Sequence, residues 1–288
     1  MVADRLRRVA LLTAFAIDVL LIGTGFPRPN PDHAGPCTVI DLGDEWFAVD
    51  AGRGATMRIA ATTLDYAKMR AVFLTHFHSD HTAGLPDLFI SSWQFGRKSR
   101  PLELYGPRGT RKLADAMLAF FADDIHYRRD LLEKHPAAGA TINTHEIGEG
   151  VIFDDGKVKV TAFVEDHRPV EPALGYRFES GGKVIVVSGD TRPNDNLLKF
   201  AHNADVLVME AYLPEHFLKV DTLEVAKKLM AYHTSAEEAG DVATQAAVKT
   251  LVLTHLIPAN AEATFFERAS AHFKGRVIVG KDLLRVEP

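Results

Sequence analysis

The chain has 288 residues, 47% of them hydrophobic and 25% charged, with a formal net charge of −5. That is enough apolar material for a large buried core, and the acidic balance argues against a protein wrapped around nucleic acid, which carries a basic stripe. One cysteine, Cys37, excludes an internal disulfide framework and any cysteine-rich metal site; it reads as a small buried residue in a strand.

The first sixteen residues read two ways. Arg5, Arg7 and Arg8 precede the apolar run Val9 to Ala16, and Ala14-Phe15-Ala16 has the small-x-small form of a signal-peptidase site. The apolar run is short, Asp4 interrupts the basic part, and Ile17 leads straight into a core strand. The expectation is a retained segment on a cytoplasmic chain, with export through residues 1–16 as the alternative. No stretch approaches the ~18 apolar residues of a membrane span. Residues 17–288 are expected to form one domain.

Asp18 to Ile22 reads as a buried strand, closed by Gly23-Thr24-Gly25 and a proline-rich turn through Pro31. No helix follows, so the Gly-x-Gly makes a poor nucleotide loop. Strands over 37–41 and 46–49 lead to Asp50-Ala51-Gly52, and 55–64 reads as helix. The apolar run Ala71 to Leu74 then ends in His76, His78, Asp80 and His81. Crowded imidazoles and a carboxylate gain little from being buried together unless something satisfies them. They are good ligands for a divalent cation. On an extended turn His76 and His78 point to one side, whereas Asp80 and His81 are adjacent and diverge, so the cluster can serve two ions. A helix cap by Ser79 or Asp80 explains neither His76 nor His78.

A helix over about 81–95 follows, with Pro86 in its early part, then a basic loop over 97–100. A strand at 102–105 precedes an amphipathic helix over 108–124, with Leu113, Met117, Phe120 and Phe121 at i, i+4, i+7 and i+8. His126, His135 and His145 read as ordinary polar histidines. Period-two alternation at Val158, Val160, Ala162 and Val164 marks a half-buried strand, ending at Asp166-His167. The strand Val184 to Val187 runs into Ser188-Gly189-Asp190-Thr191, and a strand over 205–209 leads to Glu210-Ala211-Tyr212. Residues 211–232, with Tyr212, Phe217, Leu218 and Met230 among charges, read either as a lid or as a surface helix. Ser235-Ala236-Glu237-Glu238 is a capping box for a helix to about 247. His233 therefore precedes a helix N-terminus, a poor place for a spare positive charge. A strand over 250–254 ends at His255, and a helix over 262–273 and a strand over 276–279 close the chain.

His76-Phe77-His78-Ser79-Asp80-His81 resembles the H-x-H-x-D-H signature of the metallo-β-lactamase-fold hydrolases. The resemblance implies an αββα sandwich, two mixed β-sheets flanked by helices, with a two-metal site at the sheet edges. It implies His76, His78 and His167 on one divalent cation and Asp80, His81 and His255 on the other, with Asp190 bridging. Zinc is the expected metal, manganese or iron the alternatives. Asp50 is either a carboxylate behind the ligating histidines or a plain turn residue before Gly52. Two cations ~3.5–4 Å apart lower the pKa of a shared water, the nucleophile towards an ester of a tetrahedral oxyanion. His233 is the expected proton donor to the leaving oxygen, oriented by Glu210, with Asp80 as a further catalytic carboxylate. Arg168, Tyr212 and Phe217 are the candidate substrate contacts; Arg168 and Arg192 read more readily as solvated surface arginines. The resemblance also implies a homodimer.

The segment from His167 to Phe178, with Gly175-Tyr176-Arg177-Phe178, and the late His233-Thr234-Ser235 and Leu253-Thr254-His255 are similar to motifs of the ribonuclease Z and arylsulfatase-like branch. Two departures stand against ribonuclease Z itself. Its His-Glu-Ala-Thr motif appears as Met209-Glu210-Ala211-Tyr212, and its tRNA-gripping arm has no room between His167 and Asp190, 23 positions apart. The expected activity is hydrolysis of a small anionic phosphodiester or aryl sulfate, without a membrane partner. Precursor-tRNA processing, lactone or β-lactam hydrolysis, and a non-catalytic binding module are the alternatives.

Overall fold

The structure is a computed structural model and describes residues 17–288; the N-terminal segment with its two readings lies outside the described residues. In chain order the strands are β1 (Asp18–Gly23), β2 (Cys37–Asp41), β3 (Trp46–Val49), β4 (Met69–Phe73), β5 (Leu102–Gly106), β6 (Ile142–Glu146), β7 (Gly150–Asp154), β8 (Val158–Glu165), β9 (Ala173–Ser180), β10 (Lys183–Val187), β11 (Val206–Tyr212), β12 (Thr250–Ile257), β13 (Arg276–Val279) and β14 (Leu284–Val286). They build two seven-stranded sheets, ordered β14-β1-β2-β3-β4-β5-β6 and β13-β12-β11-β10-β9-β8-β7. Each is mixed: β1 to β3 and β7 to β10 pair antiparallel, β3 to β6 and β10 to β13 parallel.

The helices are α1 (Ala55–Ala60), α2 (Ser79–Thr82), α3 (Leu85–Ser92), α4 (Thr110–Phe120), α5 (Ala122–His126), α6 (Asp195–Ala201), α7 (Pro214–Val220), α8 (Leu223–Met230), α9 (Ala236–Gln245) and α10 (Glu262–His272). Alternation along each strand sends neighbouring side chains to opposite faces. Val19 and Leu21 of β1 point into the seam between the sheets, with Phe47, Phe73, Tyr176, Phe178 and Val208. Leu20 and Ile22 point outwards to the layer holding Ile59, Leu88 and Phe89. On the far side Leu207, Met209 and Leu251 pack against Leu197, Val242 and Phe265. The result is helix, sheet, sheet, helix, the sandwich that the histidine motif implies.

Phe73 is the centre of the seam. It is fully buried, with the rings of Phe47, Tyr105, Tyr176 and Phe178 at 5.9, 5.1, 5.2 and 5.7 Å. Phe73→Ala is expected to cost about 3–5 kcal/mol, read as a lower urea midpoint; a loss below about 1 kcal/mol means that the sheets collapse into the cavity.

Several elements differ from the sequence reading. The helix over 81–95 is two helices, α2 and α3, followed by a wider π turn over Trp93–Arg97. The break falls at Gly84, where a Cβ would lie 2.1 Å from the Gly52 carbonyl oxygen, and Pro86 suits the first turn of α3. The helix over 55–64 stops at Ala60, and the one over 108–124 is interrupted at Phe121. Strands β6, β7, β9 and β14 were not apparent in sequence. His145 lies on β6 rather than in an irregular segment, stacked on Tyr105 and bonded to Glu103.

Candidate metal centre

Strand ends from both sheets converge on one rim. His76 and His78 follow β4, His167 follows β8, Asp190 follows β10, and Glu210 and His255 lie on β11 and β12. Two backbone devices aim them. Gly189 has φ +68°, and even a methyl group there would sit 2.8 Å from Thr75, so the turn that delivers Asp190 needs glycine. His255 is not at the end of its strand but inside it. Glu210 pairs with Thr254 and Ala211 with Leu256, leaving His255 as a bulged residue with φ +45°. A bulge re-aims a side chain where a regular strand would turn it away.

His76, His78, His167 and Asp190 offer ligand atoms all within 4.8 Å of one another, as do Asp80, His81 and His255. The seven side chains singled out in sequence thus meet in two groups. Asp190 lies between them, with Oδ2 3.8 Å from His76 Nε2 and 3.4 Å from His255 Nε2, and Oδ1 3.3 Å from His81 Nε2. Asp80 Oδ2 is 3.2 Å from His255 Nε2.

The imidazoles are held from behind. His81 Nδ1 donates to Asp50 Oδ2 at 2.7 Å, and Thr75 donates to the same carboxylate from its amide and its hydroxyl. With that hydroxyl proton committed, Thr75 Oγ1 accepts from His76 Nδ1 at 3.0 Å. His167 Nδ1 donates to the Tyr232 carbonyl at 2.9 Å. Asp50, at φ +61°, is therefore the partner behind the histidines and not a plain turn residue. These bonds fix each ring so that Nε2 faces the cluster. The Nε2 atoms of His76, His81 and His167 and Oδ1 of Asp190 are buried without a hydrogen-bond partner. Buried polar atoms are rarely left so, and an array of unpaired imidazole and carboxylate donors fits divalent cations.

Protonation follows the same division. Burial lowers His76 and His78 and takes His167 to about 4, which leaves these three neutral, the ligating form. Burial is the largest influence on His81 and His255 and opposes their charge, but Asp190 together with Asp50 for His81 and with Asp80 for His255 outweighs it, and His255 rises to about 9. His233 Nδ1 meets Glu210 Oε2 at 2.7 Å, and the Thr191 amide donates to Glu210 Oε1 at 2.7 Å.

Sequence reasoning missed Glu165. At the end of β8 it is buried, accepting from Asn194 Nδ2 at 2.6 Å and Thr191 Oγ1 at 3.0 Å. Burial lifts this carboxyl to about 8 against those hydrogen bonds. The folded chain therefore keeps a proton that the unfolded chain gives up at the ordinary value of 4.5. The resulting stability is complete below that value and is lost as pH rises through about 8. Glu165→Gln is expected to flatten the fall in Tm between pH 5 and 9; equal slopes for variant and parent would exclude the effect.

Beside the cluster lies a cavity of about 470 Å³. His78, Asp80, Asp190 and His233 line it, as do Phe26, Arg28, His216, Phe217, Leu229, Tyr232 and Ile257. Of the three candidate substrate contacts, Phe217 lines it. Tyr212 supports the Phe217 ring at 5.4 Å. Arg168 is held by Asp166 on the exposed surface, as is Arg192, which also bonds the Ala231 carbonyl. The 211–232 segment folds as α7 and α8, and Phe217 and Ala226 pack with Tyr212 and Ile257 in a small core beside the cavity.

Two mixed sheets, helices on both outer faces and paired His/Asp groups on one rim define a metal-dependent hydrolase of the metallo-β-lactamase fold. A family model described as a beta-lactamase superfamily domain matches residues 45–256. The chain is 40% identical over 280 residues to ribonuclease Z from Mycobacterium bovis, covering 94% of this chain and 98% of that one. It belongs to the ribonuclease Z family of the β-lactamase superfamily. Two solved structures share the fold. One is the metallo-beta-lactamase fold protein YhfI from Bacillus subtilis, with TM-score 0.73, 22% identity, and 95% and 100% of the two chains covered. The other is the short form of human tRNase Z, with TM-score 0.72, 23% identity, and 94% and 98% covered.

Proposed function

We propose that this chain is a divalent-metal-dependent phosphodiesterase that cuts precursor tRNA at its 3′ side. The observation that carries the reading is the 40% identity to ribonuclease Z across nearly the whole of both chains. The two departures noted in sequence weigh less than they did. The M. bovis relative aligns over 98% of its own length in 280 residues, which leaves it no room for a long inserted arm either. Met209 is fully buried in the layer between β11 and the outer helices, so the histidine missing there lies on the opposite strand face from Glu210.

In this reading His76, His78 and His167 hold one cation, Asp80, His81 and His255 the other, and Asp190 both. Zinc is the metal that suits so imidazole-rich a set. Cations bound there polarise a phosphodiester and acidify water. The chain itself supplies orientation and a proton. Burial lowers His233 to about 4 and, together with Asp190, raises Glu210 well above the carboxylate range. The pair therefore retains one shared proton at neutral pH. With the shared proton lying between Glu210 and Nδ1, the ring carries its own N–H at Nε2, on the cavity side, where a leaving oxygen can take that proton as the shared one moves onto Nδ1.

A second reading, a small phosphodiester or aryl sulfate as substrate, is favoured by the modest volume of the cavity and the net charge of −5. The test is to offer the zinc-loaded protein a precursor tRNA with a 3′ trailer, bis(p-nitrophenyl) phosphate, p-nitrophenyl sulfate, a lactone and a β-lactam. Release of the trailer together with hydrolysis of the nitrophenyl diester is the expected result. Turnover of the small esters alone favours the second reading, and no turnover of either phosphodiester or of the sulfate overturns both.

A further inference from the structure

We propose that the cavity beside the cluster contains a subsite for a planar aromatic ring carried by the ester, walled by Phe26, Phe217, Leu229 and Ile257. This rests on the phosphodiesterase reading for where the ester sits. The lining contains two mutually packed sets. His78, Asp80, Asp190 and His233 belong to the His/Asp groups. Phe217 and Ile257 belong to a separate apolar cluster, with Phe26 and Leu229 packed on it. Both sets face the same space of about 470 Å³.

A phosphodiester anion has polar partners in the first set and in the remaining polar lining, which includes Arg28, Ser79 and Tyr232, but none in the apolar set. The apolar wall is matched by a substituent of the ester, and its construction selects a flat one. Phe26 comes from the loop after β1, Phe217 from α7, Leu229 from α8 and Ile257 from the end of β12. The rings are braced rather than loose: Phe26 meets His216 edge-on at 6.0 Å and 85°, and Phe217 packs on Tyr212 at 5.4 Å and His216 at 5.9 Å. Phe217 and Ile257 are 7% and 3% exposed although they line the cavity. Fixed aromatic walls accept any ring with a π face, whatever its substituents, so a nucleobase and an aryl group are the two sources of one chemistry.

Calorimetry on the zinc-loaded protein tests this without turnover. Phenylphosphonate and methylphosphonate carry the same anionic head and differ in the ring; the phenyl compound is expected to bind about tenfold tighter. Leu229→Trp, which fills the subsite, and Phe26→Ala, which removes a wall from a half-buried position, are each expected to reduce that ratio to within about twofold of unity. Equal affinities in the parent protein, or a ratio that survives both substitutions, overturns the subsite. Adenosine 5′-monophosphate against ribose 5-phosphate separates the sources: a preference for the nucleotide assigns the ring to a base, its absence beside a phenyl preference to an aryl group. A ring preference in a protein that hydrolyses no phosphodiester leaves the subsite standing and removes the activity. Hydrolysis without a ring preference does the reverse.

Discussion

Replacing His233 by alanine is expected to lower kcat on bis(p-nitrophenyl) phosphate by about 10²–10⁴-fold and to leave the metal content at the parent value. The imidazole stands on the cavity wall, 7% exposed. It is close enough to the cluster to be a ligand, since His167, Glu210 and His233 also offer atoms within 4.8 Å of one another. The hydrogen bonds argue for a proton donor instead. Glu210 takes Nδ1 at 2.7 Å and is itself pinned by the Thr191 amide. Such a dyad orients one free nitrogen and keeps it supplied with a proton. Kinetics together with metal content by mass spectrometry separate the two roles. Loss of a metal equivalent would make His233 a ligand, and unchanged turnover would remove it from the chemistry. Glu210→Gln is expected to fall about 10–100-fold and to alter the pH profile of kcat, which a purely structural carboxylate would not do.

What the sequence disclosed about this site depended on how local the signal was. His76, His78, Asp80 and His81 sit within six positions, and crowding alone points to a cation. His167, Asp190 and His255 stand singly and became legible only as residues at or near strand ends in a recognised order. The bulge that presents His255 is a matter of pairing between β11 and β12, which no single segment records. Strands of continuous apolar character, such as β11 and β12, were readable. Residues 142–146, Ile-Asn-Thr-His-Glu, were not, because β6 is an edge strand with no fully buried residue. Glu165 went unnoticed because the groups that hydrogen-bond it, Thr191 and Asn194, lie 26 and 29 positions away. The cavity wall was the least accessible of all. Phe26, Phe217, Leu229 and Ile257 share no period and come from four elements, so only the tertiary structure makes them neighbours.

Asp190→Ala is expected to abolish hydrolysis and to lower metal content from two equivalents to one or none. The carboxylate stands close to both groups: its two oxygens reach His76, His81 and His255 within 3.8 Å, and His167 lies at 4.0 Å. The carboxylate is 2% exposed and held ionised, well below its usual range, by those imidazoles, although burial alone would raise it. Removing it takes the charge that opposes two cations and the one that keeps His81 and His255 protonated when cations are absent. The expected stabilities separate these effects. In chelator the variant should melt below the parent, because removing one partner of a buried charge cluster leaves His81 and His255 without the carboxylate that balances them. With zinc at 100 times its Kd the parent gains about 2.7 kcal/mol, seen as a rise in Tm, and the variant gains little. A variant that still binds two equivalents, or rises as far as the parent on adding zinc, would show that the two groups do not depend on a shared carboxylate.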